Sequence, residues 1–204
     1  MLDVTLIRHG EVEPQWKSIC YGAMDVPLSP AGQAAGQTLA AAIGQQSRAD
    51  FVFHSGLSRT ASLAKMIAVH FPSARVIEDD RLRERDYGDW QGATWDRVYH
   101  SDPENFNGLV DDPDNYRPPG GETTTEMQSR VVQWFGDLGR IDHATKVIAV
   151  SHSGPIAALA GYCHNLHASE WQPWMLKNLE AIQLLSDRSA AADTWLPPRC
   201  RRVF

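Results

Sequence analysis

This sequence lacks the marks of several protein classes. No apolar run reaches the roughly 18 residues that a membrane-spanning helix needs. The first residues enter a strand-like run at once, with no basic and apolar signal segment before it. Cysteine is scarce: Cys20, Cys163 and Cys200 are widely spaced, odd in number and form no CxxC pair, so neither a disulfide framework nor a zinc knuckle is expected. A reducing, cytoplasmic location is the default. Positive charge is also in the minority, with 19 Lys+Arg against 25 Asp+Glu and a net charge of -6. A nucleic-acid or general polyanion binder would need a basic face. No nucleic-acid or membrane partner is therefore expected, although a small basic pocket inside an acidic shell stays open.

What is present fits one compact domain. The 204 residues, 43% of them hydrophobic, are enough to bury a core without a structural metal. Residues 4–7 form a short β-prone run that stops at Arg8-His9-Gly10. Ser29-Pro30 reads as a helix cap with proline in the first turn, opening a helix to about residue 43. A strand at 50–53, a helix at 58–70 and a strand at 75–78 follow. The helical face of Met127, Val131, Phe135 and Leu138 precedes an apolar strand at 146–150, a helix at 155–162 and a last strand at 181–185. Strands alternating with helices predict an α/β fold with a mainly parallel sheet covered by helices. Residues 93–121 read as a loop-rich excursion, dense in Pro, Asp, Asn and Gly. The tail, 189–204, has no periodicity, and its arginine cluster reads as a solvated end.

Chemistry gathers where strands stop. Arg8-His9-Gly10, His54-Ser55 with Arg59, and Ser151-His152 each directly follow a strand. Parallel strands present their carboxyl ends on one edge, where open α/β sheets bind ligands. Convergence would place two arginines and two or three histidines around one point, and a phosphate group fits that set best. Amides at a helix N-terminus would add donors. A metal site is disfavoured because the arginines repel a cation and no HExxH or Asp-rich ligand set is present. Ser151 and Ser153 flank His152, but no GxSxG elbow supports a serine hydrolase. His54, His70, His143, His164 and His167 read as structural or solvent-exposed. Most of the seven Trp serve packing, with Trp16, Trp90, Trp95 and Tyr116 available to line an apolar wall for a ring.

The blocks LIRHGEVEPQW, YGAMDVPLSPAG, SGLSRTASLAKMI, LRERDYGDWQG, PPGGET and VSHSGPI together resemble the histidine phosphatase superfamily, also called phosphoglycerate mutase-like. The resemblance implies a three-layer α/β/α domain over 1–204 and a metal-free phosphomonoester hydrolase without a cofactor, acting on a small-molecule phosphomonoester. It implies that His9 becomes phosphorylated, that Arg8 and Arg59 bind the phosphate, and that His152 is the second histidine of the pocket. Glu84 matches the proton donor to the leaving oxygen. Gln15 falls where many members place an asparagine on the phosphate, and Thr123 stands beside a position often held by Ser or Thr. The substrate-facing blocks resemble the alpha-ribazole phosphatase branch most. A cofactor-dependent phosphoglycerate mutase and a catalytically inactive binding relative remain as alternatives. The chain is short for that mutase, and its excursion carries Asp102, Glu104, Asp111, Asp112 and Asp114 with only Arg97 and Arg117 against them. A homodimer, the commonest assembly, is one open arrangement.

Overall fold

A computed structural model describes residues 1–141, 145–186 and 199–203, so His143 and the first part of the tail lie outside the described residues. Six strands form one sheet: β1 (Leu2–Arg8), β2 (Phe51–His54), β3 (Arg75–Glu78), β4 (Thr145–Ser151), β5 (Ala181–Ser186) and β6 (Arg199–Val203). Their spatial order is β3-β2-β4-β1-β5-β6. The first four run parallel, β5 runs antiparallel to β1, and β6 antiparallel to β5. The helices are α1 (Pro30–Gln46), α2 (Ser58–Ala68), α3 (Trp95–Ser101), α4 (Pro103–Asp111), α5 (Thr124–Leu138) and α6 (Ser153–His164).

Alternation along the central strands builds the layers. Leu2, Val4 and Leu6 of β1, with Val147 and Ala149 of β4, face a core completed by Trp134 and Phe135 of α5 and Ile156 and Leu159 of α6. Ile7 of β1, with Ile148 and Val150 of β4, faces the other way onto Ile43 of α1 and Leu63 and Ile67 of α2. Both sheet faces are covered, which is why β4 reads as a continuous apolar run. Helix starts follow their caps. The Ser29 hydroxyl accepts from the Gly32 amide at 2.9 Å, and Thr123 forms a reciprocal capping box with Glu126 at the head of α5. Thr123 is thus occupied as a cap.

Two segments differ from the sequence reading. The excursion at 93–121 contains α3 and α4. Thr94 and Asp102 cap them through the amides of Arg97 and Asn105, and Pro103 stands at the first turn of α4. The Pro and Asp that read as loop are helix starters, and the interspersed Trp95, Val98, Phe106 and Leu109 pack with Cys20, Trp90 and Tyr116 into a third cluster. The tail's arginines are exposed, as a solvated end would have them, but they lie on a strand, β6, that the lack of periodicity did not show. Arg201 donates to the Gln183 side-chain carbonyl at 2.7 Å, and Arg202 pairs with Glu180 at 2.6 Å. A short edge strand studded with arginine fits the way natural sheets protect an open edge.

Candidate active site

Sheet register brings the strand-end clusters together. Arg8 at the end of β1 lies beside Ser151 at the end of β4, and His54 at the end of β2 lies beside Val150. His9, Ser55 and His152 therefore leave the same edge one residue later. The His9 amide donates to the Ser151 carbonyl at 3.1 Å, and the His9 and His152 rings stand 5.1 Å apart, edge to face. Both are buried, at 2% and 0% exposure.

Hydrogen bonds fix the proton on each ring. His9 Nδ1 lies 2.7 Å from the Gly10 carbonyl oxygen, which can only accept, so Nδ1 carries the hydrogen and Nε2 keeps its lone pair. His152 is fixed by a relay. The Thr60 hydroxyl donates to the Leu57 carbonyl at 2.8 Å, so Thr60 accepts from the Ser55 hydroxyl at 2.8 Å. Ser55 must then accept from His152 Nε2 at 2.8 Å, which leaves His152 Nδ1 buried without a protein partner among the described residues. Burial is the main reason that the His9 pKa falls to about 3, with Arg59 and Arg8 pushing the same way and the Gly10 bond opposing. Burial also holds His152 well below the ordinary histidine value, helped by Arg59, His9, Arg130 and Arg8. Both rings are neutral at neutral pH in the empty pocket.

Two guanidiniums complete the floor. Arg59, from the first turn of α2, is fully buried and donates to the carbonyls of Met24 at 2.6 Å and Gly22 at 2.7 Å. Its guanidinium also lies over the Tyr21 ring at 5.2 Å. Arg8 donates to the Leu176 carbonyl at 2.5 Å. The Nε atoms of both arginines are buried with no protein partner among the described residues. Buried polar atoms are nearly always bonded. Arg8 Nε and Arg59 Nε are thus buried donors without a protein partner among the described residues, His152 Nδ1 is a buried acceptor without one, and both arginines lie close enough to His9 and His152 to act on their charge. Glu84 accepts from the Arg85 amide at 3.1 Å and lies 3.5 Å from the Gly154 amide in the first turn of α6. A Cβ on Gly154 would run into the Glu84 carboxylate, so this glycine is what allows the approach.

The cleft above this floor has a volume of about 740 Å³, and Glu84, Arg8, Ser153 and Gly154 form part of its lining. Trp95 and Leu109 of the excursion form one wall, while Trp171, Met175 and Lys177 come from the segment after α6. Of the aromatic residues proposed for a wall, Trp95 lines the cleft. Trp90 is buried against Phe106 and Tyr116, while Trp171, which sequence reasoning did not single out, does line it. Gln15 is exposed and donates to the Glu13 carboxylate at 3.0 Å, and it is not part of the lining. His54 is buried, its Nδ1 accepting from the Gly56 amide. Arg130 and Glu122 were also missed. Arg130 pairs with Glu122 at 2.6 Å and donates to the carbonyls of Arg81 and Glu84, shaping the loop that presents Glu84. Among the described residues, no group of three His, Cys, Asp or Glu side chains could hold a metal ion.

Fold and site together define a three-layer α/β protein with a buried histidine–arginine cluster at the carboxyl edge of its sheet. The chain belongs to the histidine phosphatase superfamily (branch 1), whose sequence profile matches residues 4–192. It is 30% identical to phosphoserine phosphatase 1 of Hydrogenobacter thermophilus over 165 residues, 80% of this chain and 75% of that protein. Its fold is similar to that of YhfR from Bacillus stearothermophilus, with a TM-score of 0.84 at 22% identity, covering 92% of each chain. The alpha-ribazole phosphatase of Shigella flexneri superposes with a TM-score of 0.81 at 22% identity, over 91% of each chain.

Proposed function

We propose that this protein hydrolyses small-molecule phosphomonoesters through a phosphohistidine on His9, without a metal. The observation that carries the reading is the His9 Nδ1–H bond to the Gly10 carbonyl, which leaves a neutral Nε2 lone pair near the unpartnered Nε donors of Arg8 and Arg59, the proposed anion cradle. In the first step, Nε2 attacks phosphorus as the bond to the ester oxygen breaks. Glu84 gives that oxygen its proton, and the alcohol leaves. Arg8, Arg59 and a His152 that gains a proton at Nδ1 hold the equatorial oxygens. In the second step, a water gives its proton to the Glu84 carboxylate and attacks phosphorus. The P–N bond breaks, inorganic phosphate leaves and His9 is regenerated. Two guanidiniums beside the histidines repel a divalent cation, which favours the metal-free route.

Hydrolysis is favoured over mutase chemistry by the rest of the cleft. A bisphosphorylated glycerate needs a second phosphate cradle. Of the other cations lining the cleft, Arg85 is committed to the carbonyls of Glu122 and Tyr116 and Lys17 is paired with Glu11 at 2.8 Å, which leaves one exposed lysine, Lys177, where a second phosphate would need several donors. Gln15 is left out of the proposed machinery, because it is exposed in the Pro14–Trp16 turn and no contact ties it to Arg8, His9, Arg59 or His152 among the described residues. Relatives and fold neighbours carry the names of phosphoserine and alpha-ribazole phosphatases, so both phosphates belong in the test panel. The test is phosphate release from an aryl phosphate, phosphoserine, alpha-ribazole phosphate and 3-phosphoglycerate, with chelator and with a bisphosphoglycerate primer. Chelator-resistant release, with an acid-labile phosphoprotein that His9→Ala abolishes, is expected. Phosphate trapped on another residue, or primer-dependent isomerisation without release, overturns the reading. Glu84→Gln should slow alkyl phosphates more than aryl phosphates, whose leaving groups need no proton.

A further inference from the structure

The proposed nucleophile loop is gripped by a segment 168 residues downstream. The Asn178 side-chain amide donates to the His9 carbonyl at 3.0 Å and to the Gly10 carbonyl at 3.1 Å. Gly10 O is the same oxygen that accepts His9 Nδ1–H at 2.7 Å. A carbonyl has two lone pairs, so one can serve the ring while the other serves Asn178. The flanking backbone closes around the loop. The Leu179 amide donates to the Arg8 carbonyl at 3.1 Å, the Arg8 amide to the Glu180 carbonyl at 3.0 Å, and the Arg8 side chain to the Leu176 carbonyl at 2.5 Å. Leu179 sits at φ 65°, a left-handed conformation that a leucine rarely adopts and that persists only when its surroundings impose it. On the opposite side, a Cβ on Gly10 would lie 2.8 Å from the Gly32 carbonyl, so α1 leaves the loop no room to retreat.

We infer that Asn178 is a positioning residue for His9: by holding the Gly10 carbonyl in place, it keeps the His9 proton on Nδ1 and the lone pair on Nε2. The inference rests on the phosphohistidine reading of the site. A neutral amide suits the task. It supplies two N–H donors to two carbonyls without adding charge beside the ring. A carboxylate of the same shape supplies none and repels both oxygens. The residue acts through the Gly10 carbonyl rather than on the substrate, so its removal should lower turnover more than substrate affinity.

The tautomer itself is the readout. Long-range proton–nitrogen spectra of 15N-histidine-labelled protein, with His9 assigned by its loss in His9→Gln, should show a neutral ring carrying its hydrogen on Nδ1. In Asn178→Asp, that single tautomer should give way to a mixture. Turnover of an aryl phosphate should fall about 30-fold or more, with KM changed by less than about threefold. Asn178→Ser keeps a donor on a shorter stem and should fall between the two. It also carries the measurement if Asn178→Asp fails to give a cooperative thermal melt. A His9 that keeps one Nδ1–H tautomer in these variants overturns the proposal, whatever turnover does. A wild-type protein that hydrolyses no phosphomonoester overturns the phosphohistidine reading instead, and the tautomer experiment still decides the role of Asn178.

Discussion

The floor and the walls of the cleft are built by opposite strategies. Floor groups stand at the ends of β1 and β4, in the first turn of α2 and in the Arg81–Arg85 loop, and each is held by bonds to the backbone or to a buried relay. Walls come from α3, α4 and the segment after α6, and they present large side chains with few polar ties: Trp95, Leu109, Met175. A cradle for a trianionic transition state gains from donors fixed in advance, because no reorganisation is then needed as charge develops. A wall that meets the alcohol half of an ester can vary without touching that chemistry. On the proposed function, the floor would carry the reaction and the walls the choice of substrate.

Breaking the floor should give the largest effects. Arg59 is fully buried, with two donors committed to Met24 and Gly22 and Nε left for the anion. Arg59→Lys keeps the charge but cannot reach all three, so kcat/KM should fall by about 10² to 10³. The loss should be similar on aryl and alkyl phosphates, measured side by side. A loss confined to one leaving group would move Arg59 out of the floor. Next comes Ser55→Ala, which removes the acceptor for His152 Nε2 and leaves Thr60 still bonded to Leu57. With its proton no longer pinned, His152 should bind phosphate more weakly, and turnover should drop about tenfold. Unchanged inhibition by inorganic phosphate would show that the relay does not govern His152.

Legibility divides along the same line. β4 announced itself because both of its faces are apolar, and Arg8, His9, Arg59 and His152 stand at or just behind strand ends or at the head of a helix. Local sequence therefore pointed to their neighbourhood. Excursion helices were misread because their start signals, Thr94 and Asp102-Pro103, use the same residues as turns. β6 was misread because an edge strand carries arginine where a central strand carries valine. Asn178 was invisible for a different reason. Its partners lie 168 and 169 positions away, and no local pattern marks a side chain that bonds such distant carbonyls.

Acid should lower stability through the buried histidines, His54 among them. The unfolded chain takes up a proton at His9 as pH falls below about 6.5, whereas the folded ring stays neutral until about 3. Between those values the unfolded state binds more protons, so stability is fully present above pH 6.5 and declines toward pH 3, by up to about 1.4 kcal/mol per pH unit for that residue. His152, shifted the same way, adds to the slope. Urea melts from pH 7 to pH 4.5 should show the decline, and His9→Asn should flatten part of it. Saturating inorganic phosphate should flatten it too, because the bound anion favours the protonated rings. Equal slopes in wild type and His9→Asn would show that burial does not suppress protonation of His9.

The smallest expected effect belongs to Gln15, and it tests the division most sharply. By sequence position it occupies a place where an amide would touch phosphate. In the fold it sits in a short turn, Pro14–Trp16, exposed, with its amide 3.0 Å from the Glu13 carboxylate. Reaching the cradle would mean giving up that bond. Exposed polar contacts of this kind contribute little. Gln15→Ala should therefore change kcat/KM on any phosphomonoester by less than about twofold, within the ±0.5 kcal/mol usual for surface changes. Gln15→Asn, which shortens the stem, should be equally silent. A tenfold loss in the alanine variant, rescued by asparagine, would bring this turn into the floor. The cradle would then be completed by closure on substrate rather than formed in advance.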